Sequence, residues 1–165
     1  MKQLKLLESK ILSLESLRAQ IKKWRFSGEK IIFTNGCFDL IHIGHIDCLA
    51  RAKDIGGKLI VGLNSDRSIS KLKGPKRPIK NQKSRSILLA SMQFVDAVIL
   101  FDDETPIQLI SSISPNILVK GGDYIIEEIV GHEWVTQSGG EVIALKFVQG
   151  YSSSKMIDQI IKTNV

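Results

Sequence analysis

Apolar residues return every three or four positions at the start of the chain, at Leu4, Leu7, Ile11, Leu14, Leu17 and Ile21. That spacing lays one stripe along a helix. The stripe ends near Trp24 and Gly28, so a single leading helix over residues 1–27 is expected, docked on the domain or on a second copy. It lasts barely three heptads and Arg18 interrupts it, which argues against a free coiled coil. From residue 30 onward, short apolar runs alternate with longer periodic stretches. Strands are expected at 30–34, 58–63, 97–101, 117–119 and 141–145, and helices at 44–55, 81–93, 106–113, 125–137 and 152–162. Short apolar strands separated by helices belong to a parallel sheet covered on both faces. Gly56-Gly57 and Gly139-Gly140 stand where helices stop. The expected fold is therefore α/β, a Rossmann-like, doubly wound sheet of five parallel strands with right-handed crossovers and an extra N-terminal helix. With 165 residues the chain suits one domain with a full core, residues 28–165 carrying the sheet.

In such a sheet the loops after the strands open on one side. They are 35–44, 64–80, 102–105, 120–124 and 146–154. The first is the most informative: Phe33-Thr34-Asn35-Gly36-Cys37-Phe38-Asp39-Leu40-Ile41-His42-Ile43-Gly44-His45. An apolar strand ends there, turns through Gly36, and enters a helix at two histidines either side of Gly44. Gly44 lets a phosphate approach the backbone, and the first N–H groups of a helix carry partial positive charge. His42 and His45, three residues apart, can present ring nitrogens to one phosphorus. The string suits a nucleoside triphosphate. Asp39 just before them orients an imidazole, holds a metal-bound water, or braces the turn.

The net charge of +6 changes the picture because it is local. Arg67, Lys71, Lys73, Lys76, Arg77, Lys80, Lys83 and Arg85 fall in one stretch without an acid, and elsewhere seventeen acids outnumber fifteen bases. A general nucleic-acid binder interleaves aromatics with such charge, and none occurs here before Phe94. A local polyphosphate site fits better. Asn64-Ser65-Asp66 leads into this stretch, where Lys71 and Lys73 on a mobile loop close over a triphosphate. Arg77 and Arg85 are further candidates for substrate, with pairing to surface carboxylates as the alternative. Lys120-Gly121-Gly122-Asp123-Tyr124 pairs backbone access with a cation and a carboxylate able to accept sugar hydroxyls. Ser152-Ser153-Ser154 at a helix start serves as cap and second anion site together.

Taken together, these segments resemble the HxGH nucleotidyltransferase superfamily. Within it they resemble the D-glycero-β-D-manno-heptose 1-phosphate adenylyltransferases, which occur alone or as the C-terminal domain of a bifunctional heptose kinase/adenylyltransferase. The resemblance runs from about Gly28 onward, and with no kinase domain present it implies the stand-alone form. It implies transfer of AMP from ATP, with Mg²⁺, to a heptose 1-phosphate. His42, His45, Lys71 and Lys73 would be catalytic. Thr34, Asn35, Gly36, Cys37, Phe38, Gly44, Lys120, Gly121, Ser152, Ser153 and Ser154 would hold the nucleotide. Asp39, Asn64, Asp66, Arg77, Arg85, Asp123 and Tyr124 would face the sugar phosphate, with no metal site on the protein itself. Glycerol-phosphate cytidylyltransferases carry an arginine before the last helix where this chain reads Phe147-Val148-Gln149-Gly150-Tyr151. Guanylyl or cytidylyl transfer to a related sugar or polyol phosphate stays open.

Other classes fit less well. His42-Ile43-Gly44-His45 and Ser154-Lys155-Met156 also resemble class I aminoacyl-tRNA synthetases, but 165 residues leave no room for a tRNA-binding domain. A non-catalytic nucleotide sensor would not need both histidines and the paired lysines. No apolar run approaches the roughly 20 residues of a membrane span, and early charges interrupt any signal-peptide core, so a cytoplasmic protein without membrane or nucleic-acid partners is expected. The apolar leading helix makes a homodimer the expected assembly. Cys37 and Cys48 lack metal-ligand spacing and read as reduced, partly buried thiols.

Overall fold

The strands are made of residues that solvent never reaches: Ile31, Ile32 and Phe33, then Leu59, Ile60 and Val61, then Leu118 and Val119 are fully buried. Runs of this kind sit only in a sheet with both faces covered. The computed structural model describes residues 2–146, 148 and 150–163. It has five parallel strands, β1 Ile31–Gly36, β2 Lys58–Asn64, β3 Ala97–Phe101, β4 Ile117–Gly121 and β5 Glu141–Leu145, in the order β3-β2-β1-β4-β5.

Helices α1 Lys2–Glu8, α2 Leu14–Phe26, α3 Ile43–Asp54, α4 Asp66–Lys73, α5 Gln82–Ala90, α6 Ile107–Ile113, α7 His132–Gln137 and α8 Ser153–Thr163 surround the sheet. Alternation along β1 separates two cores. Ile31 and Phe33 pack with Leu17 and Ile21 of α2, Leu109 and Ile110 of α6 and Val135 of α7. Ile32 packs on the other face with Leu49 of α3 and Leu89 of α5. Each large apolar side chain removed from water contributes about 1.5–3 kcal/mol. The sheet is doubly wound, as the alternating pattern implies. Gly57, at φ 138°, turns the chain into β2 so tightly that a Cβ there would lie 2.5 Å from the Lys30 carbonyl oxygen.

Three elements differ from the sequence reading. The expected single leading helix is two, because residues 10–12 run extended along the border of β3. Leu12 N–H donates to Val98 O and Val98 N–H to Lys10 O at 2.9 and 2.8 Å, and Ser13 then caps α2 by accepting from Ser16 N–H. Pairing at the exposed edge of a sheet outweighs continuing the stripe, and it shields that edge. Lys71 and Lys73 end the helix α4, not a mobile loop, since Ser65 caps its start and buried Ser68 and Ile69 hold it down. The expected helix 125–137 is a 3₁₀ turn, Ile126–Glu128, followed by α7, separated at Gly131 with φ 96°. Phe147 and Gln149, named in the sequence reading, lie outside the described residues.

Candidate active site

Strands β2 and β4 flank β1 and their connections leave in opposite directions, so a crevice opens between the carboxyl ends of β1 and β4. A cleft of about 380 Å³ lies there. Thr34, Asn35, Gly36, Cys37 and Phe38 line it from β1, Gly44 and His45 from α3, Asn64 from β2, Lys73 from α4, and Lys120, Gly121 and Tyr124 from β4 and beyond.

The histidine pair is built around Gly44. The His42 imidazole lies over that glycine, where a Cβ would come within 3.1 Å of the ring. It stacks on His45 with centroids 3.9 Å apart. His45 Nδ1 accepts a long bond, 3.4 Å, from the His42 backbone N–H, which leaves Nε2 to carry the proton. Burial first, then neighbouring His42 and Lys73, pushes the His45 pKa down to about 4. Burial lowers His42 as well. At neutral pH both rings are uncharged. His42 does not itself line the cleft, and its buried Nδ1 has no partner among the described residues.

Lys120 reaches Asn35 O and Oδ1 at 3.4 and 3.3 Å and lies 5.9 Å from the Tyr124 ring centroid. Burial lowers its pKa, against the opposing pull of Cys37 and Cys48. No carboxylate pairs with Lys120 or Lys73 among the described residues. Cationic groups without an internal counter-charge in a cleft are suited to an anionic ligand.

Four residues expected to face substrate are engaged within the protein. Asp39, 2% exposed, is paired with Arg77 at 2.6 Å and accepts backbone bonds from Ile79 and Lys80. Burial alone would raise its pKa, but the N–H groups of Lys80 and Ile79 and the Arg77 guanidinium outweigh it and hold the carboxyl below its ordinary value. Arg85 is wholly buried and pairs with Asp66 at 2.7 Å. A charge so matched inside the fold braces loops and does not greet a ligand.

The remaining candidates stand at the margin. Lys71 is exposed in the last turn of α4 and outside the cleft lining, as is Asp123 beyond β4. Ser152 accepts from Lys155 N–H as a helix cap, Ser153 donates to Leu40 O at 3.2 Å, and Ser154 is exposed. The Ser153 bond brings the start of α8 against the loop that carries His42. Sequence reasoning missed Cys48, Leu49, Leu72, Glu104 and Pro106, which also line the cleft. Cys48 and Leu49 stand three and four residues after His45, on the same helix face, and that spacing was the available signal. Glu104 and Pro106 follow β3, in a strand-end loop and just beyond it.

Residues 33–159 match the family model described as cytidylyltransferase-like, most of the chain. The chain belongs to the cytidylyltransferase-like family. The cleft fits that family: His45 stands there with Lys73 and Lys120, neither of which pairs with a carboxylate among the described residues. It is similar to the bifunctional protein HldE of Methylobacillus flagellatus, 47% identical over 151 residues, which is 92% of this chain and 31% of that protein. With the bifunctional protein HldE of Citrifermentans bemidjiense it shares 46% identity over 156 residues, covering 94% of this chain and 32% of the relative. The chain thus spans about a third of the length of these curated relatives. A crystal structure of the lipopolysaccharide core biosynthesis protein from Thermoplasma volcanium is similar at 27% identity and a TM-score of 0.61, over 76% of this chain and all of that one. No helix among the described residues is long and apolar enough to cross a membrane.

Proposed function

We propose that this chain transfers the adenylyl group of ATP to D-glycero-β-D-manno-heptose 1-phosphate, giving ADP-heptose and pyrophosphate for lipopolysaccharide core synthesis. The observation that carries the reading is a neutral His45 beside Lys73 and Lys120 in a cleft at the β1–β4 switch point. The likeness to bifunctional HldE proteins and to a lipopolysaccharide core biosynthesis protein supports the choice of acceptor.

A phosphate oxygen of the acceptor is already nucleophilic, so no strong base is needed. It attacks the α-phosphorus in line, the bond from that phosphorus to the bridging oxygen breaks, and pyrophosphate leaves with the electron pair. Catalysis is then positioning and charge stabilisation. His45 offers its Nε2–H to the α-phosphate, where charge grows, and His42 fixes that ring by stacking and through its backbone N–H. Lys73 faces the β- and γ-phosphates, and Lys120 takes the acceptor phosphate, a role that Arg77 leaves by pairing with Asp39. The described residues bring together no group of three His, Cys, Asp or Glu side chains. Such a donor set suits Mg²⁺ carried on phosphate oxygens and water. Bound there, the ion would neutralise charge on the departing pyrophosphate. Within the same reading the protein works in the cytoplasm as a homodimer, for which exposed Leu4, Leu6 and Phe26 on the leading helices supply apolar surface; sedimentation tests the assembly.

A pyrophosphate-release screen crossing four nucleoside triphosphates with sugar 1-phosphates tests the reading. ATP with the heptose 1-phosphate is expected to give the highest kcat/KM. Preference for CTP or GTP with another acceptor would move the chain to cytidylyl or guanylyl transfer, and no release with any pair would overturn the proposal.

A further inference from the structure

Arg85 belongs to the most basic stretch of the chain, yet solvent does not reach it. Its Nη1 donates to Cys37 O at 2.6 Å and Asn64 O at 2.8 Å, its Nε to Lys80 O at 2.9 Å, and its Nη2 to Asp66 Oδ1 at 2.7 Å. Cys37 follows the last residue of β1, and Asn64 is the last residue of β2. One guanidinium therefore grips the carboxyl ends of two adjacent strands beneath the cleft.

A planar trans peptide points its C=O and N–H in opposite directions. With the Cys37 carbonyl turned toward buried Arg85, the Phe38 N–H is turned away from it, toward the side on which Cys37 and Phe38 line the cleft. Among the described residues that N–H has no protein acceptor. Phe38 itself has φ 45°, a left-handed conformation that a bulky residue adopts only when its surroundings impose it. Turns of this kind gather N–H groups into concavities that bind anions. The Phe38 ring then folds back against Gly36, where a Cβ would meet it at 3.0 Å, and lies 5.2 Å from the His45 ring.

We infer that Arg85 is the positioning residue of this cleft, fixing the Cys37 carbonyl so that the Phe38 N–H is presented to a phosphate oxygen of the bound nucleotide. The inference rests on the nucleotide-binding reading of the cleft proposed above. A planar fork is required, because three carbonyls and a carboxylate converge on one group. An ammonium is a compact point charge and does not reproduce the geometry. The charge of Arg85 thus serves the site without touching the ligand.

The test follows backbone amide resonances of the ¹⁵N-labelled protein as ATP is added without acceptor. Phe38 is expected to shift downfield and saturate together with Gly44 and His45. In Arg85→Lys the Phe38 shift is lost while His45 still responds. The variant's kcat falls on the order of a hundredfold, as when a preorganised oxyanion donor is removed, and KM for ATP rises far less. Loss of fold alone would lower the active fraction and leave KM and the pattern of shifts untouched. Arg85→Gln, read in the same way, serves if the lysine variant does not fold, and the wild-type titration needs neither. A silent Phe38 amide with responsive Gly44 and His45 would overturn this inference and leave the nucleotide reading standing. A Phe38 shift retained in a folded variant would remove Arg85 from the role. No response from any cleft amide would overturn the nucleotide reading as well.

Discussion

The His42 and His45 rings stack at 3.9 Å with an interplanar angle of 29°, and the neutral state of one favours that of the other. Two imidazolium ions at this separation would repel strongly, and burial already penalises each charge. The pair is thus arranged to donate hydrogen bonds as neutral rings.

This arrangement sets a pH dependence. Unfolded histidine titrates near its ordinary value of 6.5, whereas His45 in the folded protein titrates near 4. Between those values the unfolded chain binds more protons, so the contribution of His45 to stability is complete above about 6.5 and is lost as pH falls toward 4. Denaturant midpoints measured across that window should decline for the wild type and decline less for His45→Gln. An equal slope in both would remove His45 as the source.

Removing the His45 imidazole should lower kcat on the order of a hundredfold or more with a modest change in KM, since its Nε2–H acts where charge develops. Steady-state kinetics of His45→Ala checks this. Turnover within a fewfold of wild type would exclude the assignment.

The two lysines of α4 should separate cleanly. Lys73 lines the cleft and Lys71 does not. Lys73→Ala is expected to lower kcat/KM for ATP by about tenfold or more, the scale of a charge-assisted hydrogen bond, while Lys71→Ala stays within a fewfold. Equal effects would mean that α4 turns on nucleotide binding.

Asp39→Asn leaves Arg77, only 16% exposed in its side chain, without its counter-charge. Breaking one side of a buried pair costs about 3–5 kcal/mol. Urea denaturation should register a loss of that order, and the loop that carries His42 should show faster amide exchange. A loss below about 1 kcal/mol would mean that the pair is solvated, as exposed pairs are.

The placement of the strands along the chain could be read from the sequence because each is a short, mostly apolar run between helical stretches; their order in the sheet could not. The cleft's β1 wall and His45 were legible for a related reason: a strand end, a glycine and a helix entrance fall within thirteen residues. The break at residues 9–13 was not, since Ile11 fits a helical stripe as well as a short extended segment. Nor was the fate of the charged residues. Arg85 and Lys73 look alike in a basic stretch, and only the packing of α5 against β2 and β3 turns one inward while the other faces the cleft. Asp39 shows the same ambiguity, because a carboxylate that ties a loop and one that binds a sugar occupy the same place in the string.

The extended residues 10–12 meet Val98 near the amino end of β3, a border strand separated by β2 from the β1–β4 crevice, which opens at the opposite ends of the strands. Residues 10–12 are therefore moored on the flank of the sheet away from the crevice. Held there, the segment occupies the border strand's open hydrogen-bonding edge and keeps it from recruiting a foreign strand.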